Sequence, residues 1–98
     1  MPSDAQYKPS FSPKWIYTAT LTPTAFLDGE TMVSTTVSSA FKPARVGDFF
    51  HIFMPSLENT CFTLPGVVTS KGVLTMKMGK TNITALAPAS QKIIVVAY

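Results

Sequence analysis

Apolar and polar residues alternate in short runs along most of the chain, and Pro, Gly or Asp-Gly separates one run from the next. A period of two is typical of a β-strand with one covered face, because successive side chains point to opposite sides of the strand. About seven such runs follow one another at the spacing of an antiparallel sandwich or barrel, and no segment has ten or so residues of helical periodicity. The pattern predicts an all-β fold, either a small antiparallel β-sandwich or a jelly-roll-like barrel.

The predicted strands differ in how apolar their two faces are. Residues 15–22, 31–39 and 73–78 each alternate, which indicates one covered and one wettable face. Residues 92–98 are apolar on both faces, which places this last strand in the centre of a sheet or under cover. The turn signal Asp28-Gly29 lies between the first two strands and is of the kind that joins a hairpin.

A dense apolar run over residues 43–54 forms the centre of the chain, and Pro55 closes it. If it is a strand, Phe50 points to one side while Phe49, His51 and Phe53 point to the other. Both sides are mostly apolar, so we expect both to be covered, by a second sheet or by a neighbouring subunit. Phe49, His51 and Phe53 are therefore the candidate residues of a subunit interface.

Residues 1–14 differ from the rest, since they contain three Pro and three Ser and have no periodicity. We expect an extended N-terminal arm, followed by a single β domain over residues 15–98. Tyr7, Phe11 and Trp15 are the candidate residues that anchor this arm to a partner. A mobile tail without a partner is the alternative.

The composition favours association over a monomeric state. Hydrophobic residues make up 46% of the chain, whereas charged residues make up 13%, against roughly 25% in an average globular protein. A surface poor in charge favours contact with other proteins, although a surface rich in Ser and Thr is the alternative.

Charge and hydropathy also narrow the choice of partner. The net charge is +3, but the basic residues occur singly, as solvated lysines would, so we expect no nucleic-acid partner. No apolar run approaches the roughly 18–20 residues of a membrane helix, so we expect no membrane partner. The first residues lack the apolar core of a signal peptide, so we expect synthesis in a cytoplasm.

The residues that most often carry catalysis are scarce. His51 is the only histidine and Cys61 the only cysteine, so neither a disulfide nor a zinc site of three or four such ligands fits within one chain. Cys61 is expected to be a small buried hydrophobe. Asp28 and Glu30 fit a turn better than a calcium loop, and Asp48 is expected to cap a turn. We therefore predict no catalytic residues, no metal and no cofactor, and expect that the protein is not an enzyme.

Several segments between residues 31 and 98 match a known pattern in order and spacing. A Thr/Val strand leads into Ala-Arg-Val-Gly-Asp-Phe at 44–49, a hydrophobic strand ends at Pro55, and Pro-Ala-Ser at 88–90 precedes the last strand. A further segment, at 73–81, has the form Val-x-Thr with a later Gly-x-Thr. Together these segments resemble a short β domain of structural proteins of tailed bacteriophages. The chain departs from that pattern at Lys77 and Gly79, where such domains usually carry Arg and Asn.

The resemblance implies a virion structural protein on the capsid surface, made in the host cytoplasm. The most direct role is that of a head decoration, or cement, protein that stabilises the phage head by binding across capsid subunits. Its expected partners are the major capsid protein, contacted by the arm, and further copies of the chain in a trimer. The alternative is a head- or tail-fibre module that recognises a glycan or a protein on a host surface.

Overall fold

A computed structural model describes residues 12–98, which form strands and loops without a helix. Among these residues there is accordingly no helix long and apolar enough to cross a membrane. The strands are β1 (Trp15–Leu21), β2 (Met32–Ser38), β3 (Phe49–Phe53), β4 (Cys61–Leu64), β5 (Gly66–Val67), β6 (Leu74–Lys80) and β7 (Gln91–Ala97). The prediction of an all-β fold is confirmed.

The strands form a sandwich of two antiparallel sheets. The first sheet has the order β1-β7-β3-β5, and the second has the order β2-β6-β4. Every connection between consecutive strands therefore crosses from one sheet to the other. The pairs β1·β7, β2·β6 and β3·β5 are nested, as in a long hairpin rolled up around its own tip, which is the connectivity of a jelly roll.

β7 lies in the middle of the first sheet, as its two apolar faces predict. It pairs along its whole length with β1, from Trp15↔Ala97 to Leu21↔Gln91. On its other side it pairs with β3, where His51 lies opposite Val96. The side chains that point inward from β7, such as Ile93 and Val95, are fully buried.

The core lies between the two sheets and follows the predicted alternation. From β6, Leu74, Met76 and Met78 point inward and are buried. At one end of the core, the ring of Phe41 makes edge-to-face contacts with Trp15 and Tyr17, with centroids 5.1 and 4.9 Å apart. Such pairs contribute beyond the area that they bury.

The chain changes sheets abruptly at Pro65, which separates β4 in the second sheet from β5 in the first. Strands that switch sheets form the corners of a sandwich. Gly66, directly after the corner, passes so close to the core that an added Cβ would lie 2.6 Å from Cζ of Phe50. The corner therefore requires a residue without a side chain at this position.

The predicted turn at Asp28-Gly29 is confirmed, but the prediction that it joins a hairpin is wrong. Gly29 has φ +87°, and the amide of Glu30 donates to the carbonyl of Leu27 at 3.0 Å. The strands on either side belong to different sheets, because β1 pairs with β7 and not with β2. A local turn signal fixes the bend of the backbone and leaves open which strands pair after it.

Lys80 is buried, contrary to the expectation that the lysines are solvated. Only 3% of it is exposed, and Nζ donates to the carbonyl of Asn82 at 2.6 Å and to Oδ1 of Asn82 at 2.9 Å. A third bond goes to the carbonyl of Thr84, and the ring of Phe26 lies 5.3 Å away. Oxygen dipoles and an aromatic face thus take the place of water around the buried amino group, and no carboxylate of the described residues contacts it.

Cys61 is half-buried and not fully buried as expected, although it packs against the core. Phe26, for which the sequence predicts no element, is 1% exposed and forms an isolated bridge with Leu86. This bridge joins the loop after β1 to the loop before β7. It closes the end of the sandwich opposite Trp15, where β1 begins.

Candidate functional site

The outer face of the first sheet is apolar and open to solvent. We call it the aromatic face, and it consists of Ile16, Phe49, His51, Phe53, Val67, Ile94, Val96 and Tyr98, of which Ile94 is half-buried and Val96 is buried. Cross-strand register arranges these side chains in rows. Ile16, Val96 and His51 form one row. The next row contains Ile94, Phe53 and the exposed polar residue Thr18.

The strands of the first sheet create this face by simple alternation. β3 reads exposed-buried-exposed-buried-exposed from Phe49 to Phe53, so Phe50 and Ile52 enter the core. Phe49 is 69% exposed and Phe53 is 50% exposed. Side chains of this size are the ones a protein gains most from burying, at about 1.5–3 kcal/mol for full burial. The face therefore keeps a large apolar area in contact with water.

Within residues 12–98, only one of the two faces of β3 is covered. One face is covered by the second sheet and the other by nothing among residues 12–98. The candidates Phe49, His51 and Phe53 do lie together on that open face. Whether another subunit covers them stays a prediction.

Polar groups mark the border of the aromatic face. The ring of His51 makes an edge-to-face contact with Tyr98, with centroids 6.0 Å apart. Thr20 and Lys92 lie opposite each other at the far end of β1 and β7 and are exposed. An apolar centre with a polar rim is the anatomy of a protein–protein interface.

The outer face of the second sheet is different in character. Its rows are mostly polar and include Ser34 opposite Lys77, and Thr36 opposite Thr75. Phe62 on this side lies across Gly79, where an added Cβ would approach the ring to 2.3 Å, so the ring covers backbone. The sandwich thus has one apolar and one polar outer surface.

Trp15, predicted to anchor the arm to a partner, is instead a core residue. It is buried, and its Nε1–H donates to Oδ2 of Asp48 at 2.8 Å. Little of the indole is left for another protein to contact. Tyr7 and Phe11, the other two residues proposed for this contact, lie outside the described residues.

Asp48 caps the turn before β3, as the sequence predicts. Its Oδ2 also accepts the amide of Arg45 at 3.1 Å, and Nζ of Lys14 lies 3.4 Å from Oδ1. The Trp15 hydrogen bond, followed by that from the Arg45 amide, holds the pKa of the Asp48 carboxyl below its ordinary value, although burial acts in the opposite direction. Folding therefore favours the charged form of the Asp48 carboxyl.

The histidine, the cysteine and the remaining acidic residues of the part that the structure describes lie apart from one another. Among residues 12–98, no three His, Cys, Asp or Glu side chains come together as a metal site would require. His51 lies on the first sheet and points to solvent, whereas Cys61 lies on the second. The carboxylates of Asp28 and Glu30 accept the amides of Ala85 and Leu27, as expected of turn residues.

One group of residues was missed by the sequence reasoning. Lys42, Arg45 and Lys71 are isolated in the sequence, but they line a single cleft of about 690 Å³. The loop before β3 and the loop before β6 bring them together. Because the grouping depends on the contact between these two loops, no local sequence signal could have shown it.

Comparison of the chain with protein families, with curated proteins and with solved structures finds no match to a family, a protein or a structure.

Proposed function

We propose that the chain is a structural protein of a bacteriophage virion, a head decoration protein that binds across capsid subunits. The observation that carries the proposal is the aromatic face, an open apolar surface on a rigid four-stranded sheet. Monomeric soluble proteins rarely leave a contiguous surface of this kind uncovered. The resemblance of residues 31–98 to phage structural domains supports the same role.

The aromatic face is suited to another protein surface. Phe49, Phe53 and Tyr98 present exposed rings on this face, and aromatic residues are enriched at the centres of protein interfaces. Lys92, at the border of this face, is the one permanently charged strand residue on the outer side of the first sheet, so association would desolvate little charge. We assign this face to self-association, with a trimer as the expected oligomer.

A decoration protein of this design would act by adding interface area. Each copy that bridges two capsid subunits contributes a modest contact, and many copies act together on one shell. Self-association strengthens this effect, because a trimer that holds one subunit keeps its other binding sites at high effective concentration. The major capsid protein is the partner in this proposal, contacted by the arm through Tyr7 and Phe11.

The native mass of the purified chain tests self-association directly. By light scattering at micromolar concentration, the wild-type chain should be a closed oligomer, and Phe53→Asp should weaken association by at least about tenfold. Thr36→Asp is the control, because it adds the same charge to the polar outer face of the second sheet. A wild-type monomer, or equal effects of the two substitutions, contradicts self-association through the aromatic face.

Capsid binding is tested separately with a chain that begins at Lys14. The β domain should fold as before, because β1 begins at Trp15. Co-sedimentation with capsids should be lost if residues 1–13 make the contact. If the truncated chain is folded and still co-sediments with capsids as the full chain does, the proposed role of the arm is contradicted.

A fibre module that recognises a host-surface glycan is the second candidate. Beside Phe49, the corner at Pro65 encloses a hollow of about 530 Å³, whose lining includes Thr69, Thr75 and Lys77. An exposed ring next to hydroxyl groups is the combination that a sugar requires. Binding to a glycan array that Phe49→Ala abolishes, together with a monomeric native mass, would favour this candidate over a decoration protein.

A further inference from the structure

A second surface of the domain is basic. We call it the basic cleft, and it is lined by Ser39, Ala40, Lys42, Arg45, Val46, Lys71 and Gly72. It lies at the end of the sandwich where β2 ends and β6 begins. None of its lining residues belongs to the aromatic face, so the two surfaces are separate.

Positive charge in the cleft is not balanced from within. Lys42, Arg45 and Lys71 are exposed, and Lys14 joins Lys42 and Arg45 around an adjoining depression. Asp48 is the one acidic residue that lines either depression. Its carboxylate accepts the Trp15 indole and the Arg45 amide and lies 3.4 Å from Nζ of Lys14, so a single negative charge faces the cationic side chains of the two depressions.

Backbone hydrogen bonds hold the two walls of the cleft together. The amide of Phe41 donates to the carbonyl of Gly72 at 2.9 Å, and the amide of Gly72 donates to the carbonyl of Ala44 at 3.0 Å. The amide of Gly47 donates to the carbonyl of Val68 at 2.9 Å. Gly72 makes its two hydrogen bonds with φ +76°, a backbone conformation that residues other than glycine rarely adopt. The cationic side chains therefore project from fixed backbone positions and not from free loops.

The rest of the lining indicates the class of ligand. Val46, which is 65% exposed, and Ala40 also line the cleft, so apolar contact surface accompanies the cations. No aromatic side chain lines the cleft, whereas single-stranded nucleic acids are held largely by stacking on aromatic rings. Carboxylates pair well with Lys and Arg, and Arg can engage them through two parallel bonds.

We propose that the basic cleft binds an acidic segment of another protein, with carboxylates on Lys42, Arg45 and Lys71 and an apolar side chain on Val46. This assignment goes beyond the proposed function. It does not depend on the oligomeric state, since the aromatic face contributes no residue to the cleft. It gives the domain a second binding surface, which selects its partner by charge.

The test uses a fluorescent peptide of Glu-Glu-Leu repeats, its Gln-Gln-Leu analogue, and a labelled oligothymidylate as probes of the full chain. Anisotropy at about 50 mM salt should show binding of the acidic peptide only, and raising the salt to about 200 mM should weaken it. Lys71→Glu and Arg45→Glu should each reduce its affinity by at least about tenfold. The Arg45 substitution keeps the backbone bond to Asp48, so the turn before β3 is preserved.

Lys77→Glu is the matched control, because it makes the same change of charge on the outer face of the second sheet. It should change the affinity by about twofold or less, as expected of a distant screened charge. Equal losses for Lys77→Glu and Lys71→Glu would show a general charge effect and overturn the site. Tighter binding of the oligothymidylate, lost in Lys71→Glu, would assign the cleft to nucleic acid instead, and no binding of any probe would remove the assignment.

Discussion

The indole of Trp15 donates a hydrogen bond of 2.8 Å to Oδ2 of Asp48, thirty-three residues further along the chain. This bond joins the first residue of β1 to the turn that leads into β3. β1 and β3 have no ladder in common, because β7 separates them. A buried side-chain bond therefore links two strands of the same sheet that do not pair.

The Trp15–Asp48 bond makes the stability of the fold depend on pH in the acid range. Because the pKa of Asp48 is lowered in the folded state, its carboxylate stabilises the fold above the ordinary Asp pKa of about 3.9, and this contribution is lost as the pH falls through the lowered value. Asp48→Asn should be less stable than wild type at pH 7, and the difference should shrink below about pH 4. Denaturant titrations followed by circular dichroism at several pH values measure both effects.

The same bond can be examined from the side of the donor. Trp15→Phe keeps an aromatic ring in the core but removes the N–H, so the pKa of Asp48 should rise toward its ordinary value. An NMR titration of the Asp48 carboxyl measures the change. Tyr17→Phe is the control, since it alters the neighbouring ring without touching this bond. A pKa of Asp48 that is the same in Trp15→Phe and wild type would contradict the leading role of the indole.

Phe49 and Phe50 are neighbours in the chain with opposite expected effects. Phe50→Ala should cost about 3–5 kcal/mol of unfolding free energy, because it empties a fully buried site between the sheets. Phe49→Ala should change stability by about 0.5 kcal/mol or less, because its ring faces solvent. Chemical denaturation at low concentration measures both. A large loss for Phe49→Ala in a monomer would mean that the aromatic face contributes to the fold itself.

Two glycines face aromatic rings and should differ in their tolerance of alanine. Gly66→Ala should cost about 1–3 kcal/mol, because the ring of Phe50 is enclosed by the core and cannot withdraw. Gly79→Ala should cost clearly less, because the half-exposed ring of Phe62 can turn out toward solvent. Both substitutions stiffen the unfolded chain similarly, so this contribution cancels in the comparison. Thermal unfolding of the two variants ranks them, and the reverse order would contradict the packing described.

Lys80 and Lys77 lie on the same strand but in opposite surroundings. Lys80→Met should cost about 1–3 kcal/mol, because it leaves the oxygens around Nζ without their donor. Lys77→Met should stay within about 0.5 kcal/mol, because Lys77 is exposed. Urea titrations of the two variants provide the comparison. If Lys80→Met were as stable as Lys77→Met, the buried hydrogen bonds would be no better than those to water.

The sequence predicted the strands well where one strand carries its own signal. The alternation in β3 placed Phe49, His51 and Phe53 on a common face, and the doubly apolar β7 lies in the centre of its sheet. These features depend on the period of two alone. The same alternation could not show that the outer side of β3 stays uncovered, because that depends on which elements remain to cover it.

The features that were missed depend on distant neighbours or on irregular loops. Trp15 was assigned to a partner because its position next to the arm was visible, whereas its bond to Asp48 was not. Lys80 follows an alternating run and gives no sign that the loop after it folds back over its ammonium group. The basic cleft arises only when two loops meet. In each case the deciding contact is made by residues far apart or by an irregular loop, where periodicity carries no information.

The nested order of strands has a consequence for the growing polypeptide. β7 is the last strand of the domain to leave the ribosome, yet it is the strand to which both β1 and β3 pair. Until residues 91–97 have emerged, the first sheet has no centre, because β1 then has no partner strand and β3 has only the two-residue β5. The first sheet therefore cannot be completed until β7 has been translated. Before that point, the nascent domain exposes unpaired strand edges.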